Sequence, residues 1–155
     1  MAFANSNDYL TGRKASQSPA GCEVVAVRYS ISLATGDLAL NDVGAVGILP
    51  AGCVPVAVMY DSDDLDSHGT PTIAASVGIL NAGGTDLSTD AADGGAVWGS
   101  SITTSQAGGQ SQVLSKALSR VQASQSDRKI GVKFTTAAAT AQAGELGLTV
   151  LYRCA

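Results

Sequence analysis

The sequence predicts an all-β fold, an antiparallel sandwich or jelly roll preceded by an extended N-terminal arm. Three observations carry this. Apolar residues alternate with polar or small ones over short segments. Turn signals recur at short intervals. No clear helical crossover separates the alternating segments, which argues against a parallel α/β sheet.

Residues 1–20 are polar with isolated Phe3, Tyr9 and Leu10 and no sustained period, so they read as an arm; the sandwich domain is assigned to 21–155. The first strand is "EVVAVRYSISL" (23–33), where Val25, Val27, Tyr29, Ile31 and Leu33 fall on one face. "LNDVGAVGIL" (40–49) is a looser strand, weakened by Gly44 and Gly47, and "PAG" closes it with turn chemistry. "VPVAVMYD" (54–61) aligns Val54, Val56, Val58 and Tyr60, and Pro55 places it at an edge or a strand start because proline cannot donate to the ladder. "TIAASVGIL" (72–80) aligns Ile73, Ala75, Val77 and Ile79.

A loop rich in Gly, Asp and Thr follows over 81–95, then a short strand within 96–104. Residues 112–122 fit two patterns. Val113, Leu114, Ala117, Leu118 and Val121 make a helical stripe, whereas Val113, Ala117 and Val121 also make a strand face. "RKIGVKFTT" (128–136) and "ELGLTVLYRC" (145–154) are the last two strands, joined by an Ala/Thr loop. The count is seven or eight strands.

The chain has 155 residues, the size of one domain, and a net charge of −4. Charged residues make up 14%, against a typical ~25%. A surface so poor in charge favours association, and the long Ala/Ser/Gly/Thr segments point to a homotrimer with buried subunit contacts. No Lys/Arg run exceeds two residues, which disfavours direct nucleic-acid binding. No apolar stretch is long enough for a membrane helix, and the N-terminus has no apolar core of a signal peptide. The three cysteines, Cys22, Cys53 and Cys154, are odd in number and are expected to stay reduced, with Cys22–Cys154 the pair to watch.

Catalytic chemistry finds little support. His68 is the only histidine; it sits beside Gly69 in a loop with no nucleophile motif near it, and it reads as an exposed loop residue. No phosphate-binding or zinc-protease motif is present, and no cofactor is expected. The stretch "DSDDLDSHGTP" (61–71) invites a metal reading, since Asp61, Asp63, Asp64 and Asp66 supply hard oxygen ligands suited to Ca²⁺ or Mg²⁺. The EF-hand pattern fails, with Asp66 where a glycine belongs and Thr72 where a glutamate belongs. Turn chemistry competes with it: Asp66 and Ser67 as caps of backbone N–H groups, positive φ at Gly69, Pro71 fixing the exit, and Leu65 anchoring the loop to the sandwich. On that reading metal is dispensable.

The segment "ILPAGCVPVAVMYDSDDLDSHGTPTIAASVGIL" (48–80) resembles small virion proteins of tailed bacteriophages, and "TTAAATAQAGELGLTVLYR" (135–153) is similar to their last hairpin. The likeness covers 23–153 and looks most like the jelly-roll cement, or decoration, proteins that bind phage heads as trimers. It implies a non-enzymatic structural protein on the capsid surface of the virion, assembled in the host cytoplasm, with the major capsid protein as partner. The competing class is a ligand- or carbohydrate-binding sandwich of a tail or fibre. Such a module displays aromatic rings, and here only Trp98 and the tyrosines qualify. Within this frame Phe3, Tyr9, Leu10, Arg13 and Lys14 are candidate anchors by which an arm, disordered alone, docks on a neighbour. Deleting residues 2–18 is then expected to leave melting of the free protein nearly unchanged.

Overall fold

Alternation becomes pleat almost everywhere it occurs in the sequence. The computed structural model describes residues 2–21 and 23–154. Eight strands form: β1 (Val24–Leu33), β2 (Val43–Leu49), β3 (Cys53–Ser62), β4 (Ala74–Ile79), β5 (Gly99–Ile102), β6 (Gly109–Val113), β7 (Arg128–Thr136) and β8 (Gly144–Cys154). They make two four-stranded sheets, one in the order β1-β8-β3-β6 and the other β2-β7-β4-β5. Every strand pair is antiparallel. Successive strands mostly switch sheets, which is the jelly-roll arrangement.

The inner faces interdigitate into one core. Tyr29, Val58, Tyr60, Phe134, Leu148, Val150 and Tyr152 are each fully buried in it, as are Ile73, Val77, Ile130 and Val132. A smaller apolar cluster of Val43, Leu80 and Leu87 lies apart. Leu80 rests on Gly131, and Leu87 packs against Gly78, so the 80–98 loop covers the outer face of the β2-β7-β4-β5 sheet.

Two local readings change. In β3 the register shifts between Pro55 and Ala57, so that Pro55 and Val56 together stand against Tyr152. This bulge moves the alternation out of phase: Cys53, Pro55, Val58 and Tyr60 are buried, while Val54 is half-buried and Val56 exposed. The face predicted from Val54, Val56, Val58 and Tyr60 is therefore split. Pro55 is tolerated because β6 pairs only with Val58–Ser62, leaving that end of β3 with β8 alone. In 112–122 both periods are used. Residues 112–113 finish β6, and then Ser115 caps a single helical turn, α1 (Lys116–Ser119), its Oγ accepting the Leu118 N–H at 3.1 Å. Val113, Ala117, Leu118 and Val121 all reach the core.

The glycines that weaken β2 on paper have a packing cause. A Cβ on Gly44 would occupy the ring of Phe3, and one on Gly47 would meet the Tyr29 ring at 2.6 Å. Aromatic rings lie directly on the β2 backbone at both places.

Candidate functional site

The arm turns back onto its own sandwich. Strands β1 and β2 are the outermost members of their sheets on one side, and the arm lies along them. Phe3 packs against Phe134 with ring centroids 5.9 Å apart, and Tyr9 meets Tyr29 edge-on at 4.7 Å. Both are partly buried against the main core. The Asn7 Nδ2 donates to Ser30 O of β1 at 3.1 Å and to Val46 O of β2 at 2.7 Å, while Asn5 Nδ2 donates to Ser32 O at 2.7 Å. The Ala4 N–H donates to Asp37 Oδ1 at 2.9 Å, and the Tyr152 hydroxyl donates to Gln17 O at 2.5 Å.

The arm therefore satisfies carbonyls on two unpaired strand edges and plugs the gap between the sheets. This corrects the picture of a tail without a place on the domain: two rings and a few amides suffice, because they fill notches left by Gly44 and the β1/β2 gap. Of the predicted anchors, Phe3 and Tyr9 are engaged within the chain. Leu10 is half-buried, and Arg13 and Lys14 are exposed. The Lys14 ammonium stands 4.9 Å from the Tyr9 ring centre. Arg13 comes no nearer than 3.9 Å to Asp8, with both side chains mostly in solvent.

The aspartates of 61–66 diverge instead of converging. Asp61 receives Arg28 in an exposed cluster shared with Glu145. Asp63 Oδ2 accepts the Glu145 N–H at 2.7 Å, and Asp64 Oδ1 accepts the Asp66 N–H at 3.0 Å. Asp66 is 1% exposed and accepts four backbone N–H groups, from Thr72 (2.7 Å), Ile73 (3.2 Å), Ala139 (2.9 Å) and Thr140 (2.8 Å). Burial by itself pushes its pKa up, but the four donors together outweigh this and hold the carboxyl well below the usual carboxylate range. Asp66 thus ties the 63–73 loop to the 137–143 loop. Among the described residues no group of three or more His, Cys, Asp or Glu side chains is placed to share a cation. Leu65 is fully buried, as an anchor should be. Gly69, expected at positive φ, is not among the residues that adopt it. His68 is exposed, and its Nδ1 faces the Thr70 backbone in a local turn.

Among the described residues, most of the rings that a sugar platform would display are buried. Trp98, Tyr29, Tyr60 and Tyr152 are each at most 1% exposed, and the Trp98 Nε1–H is directed at Asp93 O. A surface depression of about 550 Å³ between the 80–98 loop and residues 124–129 is lined by Asp90, Asp93, Asp127, Arg128 and serines, with no ring among them.

Cys53 and Cys154 stand opposite each other in the β3–β8 ladder and are joined as a disulfide. This replaces the expectation that they stay reduced. An odd count hides such a pair because register, not sequence spacing, brings residues 101 positions apart together. Cys22, half of the pair singled out from sequence, lies outside the described residues.

No protein-family model matches the chain, and no curated protein does. A solved chain from the capsid of Ralstonia phage GP4 superposes with a TM-score of 0.81 and is 31% identical, over 96% of this chain and 96% of that one. The chain belongs to this phage capsid family. A chain of the cyanophage Pam1 capsid asymmetric unit shares the fold more distantly, at 22% identity and a TM-score of 0.64 over 98% and 99% of the two chains. In this capsid-family protein the GP4 likeness takes in the arm as well as the sandwich, since a match over 96% of the chain cannot omit all of residues 1–20.

Proposed function

We propose that this protein is a cement, or decoration, subunit of a tailed-phage head. It binds the outer surface of the assembled shell, has the major capsid protein as its partner, acts as a homotrimer, and stabilises the shell against internal pressure. It is made and assembled in the host cytoplasm and serves as a structural protein, not an enzyme. The observation that carries this reading is the end-to-end likeness to a chain of the GP4 capsid. The mechanism is area burial at many equivalent sites, where contacts weak one at a time become strong when several are presented together. The low charge supports it, and so does the burial of Trp98 and three of the four tyrosines, which leaves a carbohydrate-binding module few stacking rings. Half-buried Leu10 and the exposed Arg13 and Lys14 are the arm's remaining contacts for a neighbour. The test is to add purified protein to particles that lack it. Saturable binding with a rise in the temperature at which DNA escapes supports the reading; failure to bind any shell contradicts it. Sedimentation equilibrium tests the trimer, and a monomer at micromolar concentration would count against it.

A further inference from the structure

We propose that the outer face of the β1-β8-β3-β6 sheet is the surface that seats this protein on the shell, against an apolar patch of shell protein flanked by a carboxylate. This rests on the cement reading above and names the contact face within it.

The two outer faces of the sandwich differ. That of the β2-β7-β4-β5 sheet is roofed by the 80–98 loop through Leu80 and Leu87. Among the described residues the outer face of the other sheet has no such roof, yet half of it is apolar. In register, Ala26 of β1 stands beside Leu151 of β8, which stands beside Ala57 of β3. In the next row Val24 stands beside Arg153 at 52% exposure, and Val56 is turned outward by the bulge at 44%. These two are among the few large apolar side chains left exposed on the described surface. The charged cluster of Arg28, Asp61 and Glu145 is confined to the opposite end of the same face. An apolar half and a polar half on one sheet face is the layout of a contact surface with a wet rim.

Size and charge indicate the occupant. Three strands (β1, β8 and β3) at ~4.8 Å spacing and five residues at ~3.3 Å give a footprint of about 240 Å². A stable pair of proteins buries roughly 800 Å² on each partner, so this patch alone is too small to hold a second copy. It suits a subunit fixed to a large shell at several points, each contact adding to the others. Arg153 borders the patch beside Val54, is exposed, and has no ion pair among the described residues. Arg28, by contrast, is already held by two carboxylates. A partner carboxylate therefore meets Arg153, at the apolar end.

The experiment adds wild-type protein, the double variant Val24→Asp/Val56→Asp, the single variant Arg153→Glu, and the control Leu40→Asp to particles lacking the protein. Leu40 is equally exposed, at 58%, but lies in the β1–β2 connection. Occupancy after washing, melting temperature and sedimentation are read for each. The expected result is an apparent affinity about tenfold or more weaker for the double variant and for Arg153→Glu. Their melting and oligomer size stay at wild-type values, and Leu40→Asp binds normally. Undiminished binding by both patch variants, with wild type bound, overturns this inference and leaves the cement reading standing. A double variant that sediments as a smaller species overturns it too, since the face would then join copies of this chain. If wild type itself does not bind, the cement reading fails and this inference with it. If the double variant does not fold, Arg153→Glu decides, because it changes an exposed side chain with no ion pair among the described residues.

Discussion

The side-chain amide of Asn7 donates to the backbone carbonyl of Val46 at 2.7 Å, and the same nitrogen reaches Ser30 O at 3.1 Å. One side chain of the arm thereby ties an edge strand of each sheet to the other. With Phe3 and Tyr9 on either side of it, the arm is part of the folded domain. Asn7→Ala is expected to lower unfolding free energy by about 2 kcal/mol, because two edge carbonyls lose their donor. Deleting residues 2–18 should lower the melting temperature clearly, the reverse of what the sequence suggests. Denaturant melts of both variants check this; a truncated protein that melts with wild type would show the cis contacts to be dispensable.

Asp66 carries the second prediction. Its ionised carboxyl is matched to four N–H donors from two loops, and Asp66→Asn replaces one acceptor with an NH₂ group aimed at donors. The expected loss is about 3 kcal/mol at neutral pH. The folded-state pKa lies below the unfolded value of ~3.9, so this stabilisation is fully present above that pH. It is lost as pH falls through the folded value. Wild type should therefore lose stability steeply below about pH 4, and Asp66→Asn should show a flatter acid limb. Equal slopes in the two proteins would contradict the assignment.

The Cys53–Cys154 disulfide gives a third. It closes a loop of sequence separation 101, for which chain entropy predicts about 4.7 kcal/mol of stabilisation. Thiol titration of unfolded, unreduced protein from released particles should find one thiol of three, and reduction should lower the melting temperature. Protein taken from the reducing cytosol before lysis should titrate all three and melt like the reduced form. Three free thiols in released particles would exclude the bond.

The sandwich was legible because β1, β4, β7 and β8 each keep a clean two-residue period, and a period that reaches the core on one face leaves little else to fold into. The phase flip in β3 was not, because a bulge at Pro55 and Val56 leaves no mark on an otherwise regular alternation of valines. The split of 112–122 into strand and turn was open from sequence because both periods are present, and Ser115 as a cap was the overlooked signal. Leu65 as anchor and Asp66 as cap followed from turn chemistry, though the reach of Asp66 to Ala139 and Thr140 depends on a tertiary meeting of loops. The docking of Phe3 on Gly44 was hidden for the same reason: the notch exists only when β2 is paired. The candidate contact face was invisible in sequence, since Ala26, Leu151 and Ala57 become neighbours only through register.

The role in the head is most directly tested by counting. Quantitative mass spectrometry of purified particles, with the major capsid protein as internal standard, gives the stoichiometry of this chain. A cement subunit is expected in a fixed ratio to the major capsid protein, of the same order as the number of shell sites, and particles lacking it should release DNA at lower temperature. A few copies per particle, or particles equally heat-resistant without it, would contradict a shell-reinforcing role and point to a tail or fibre position.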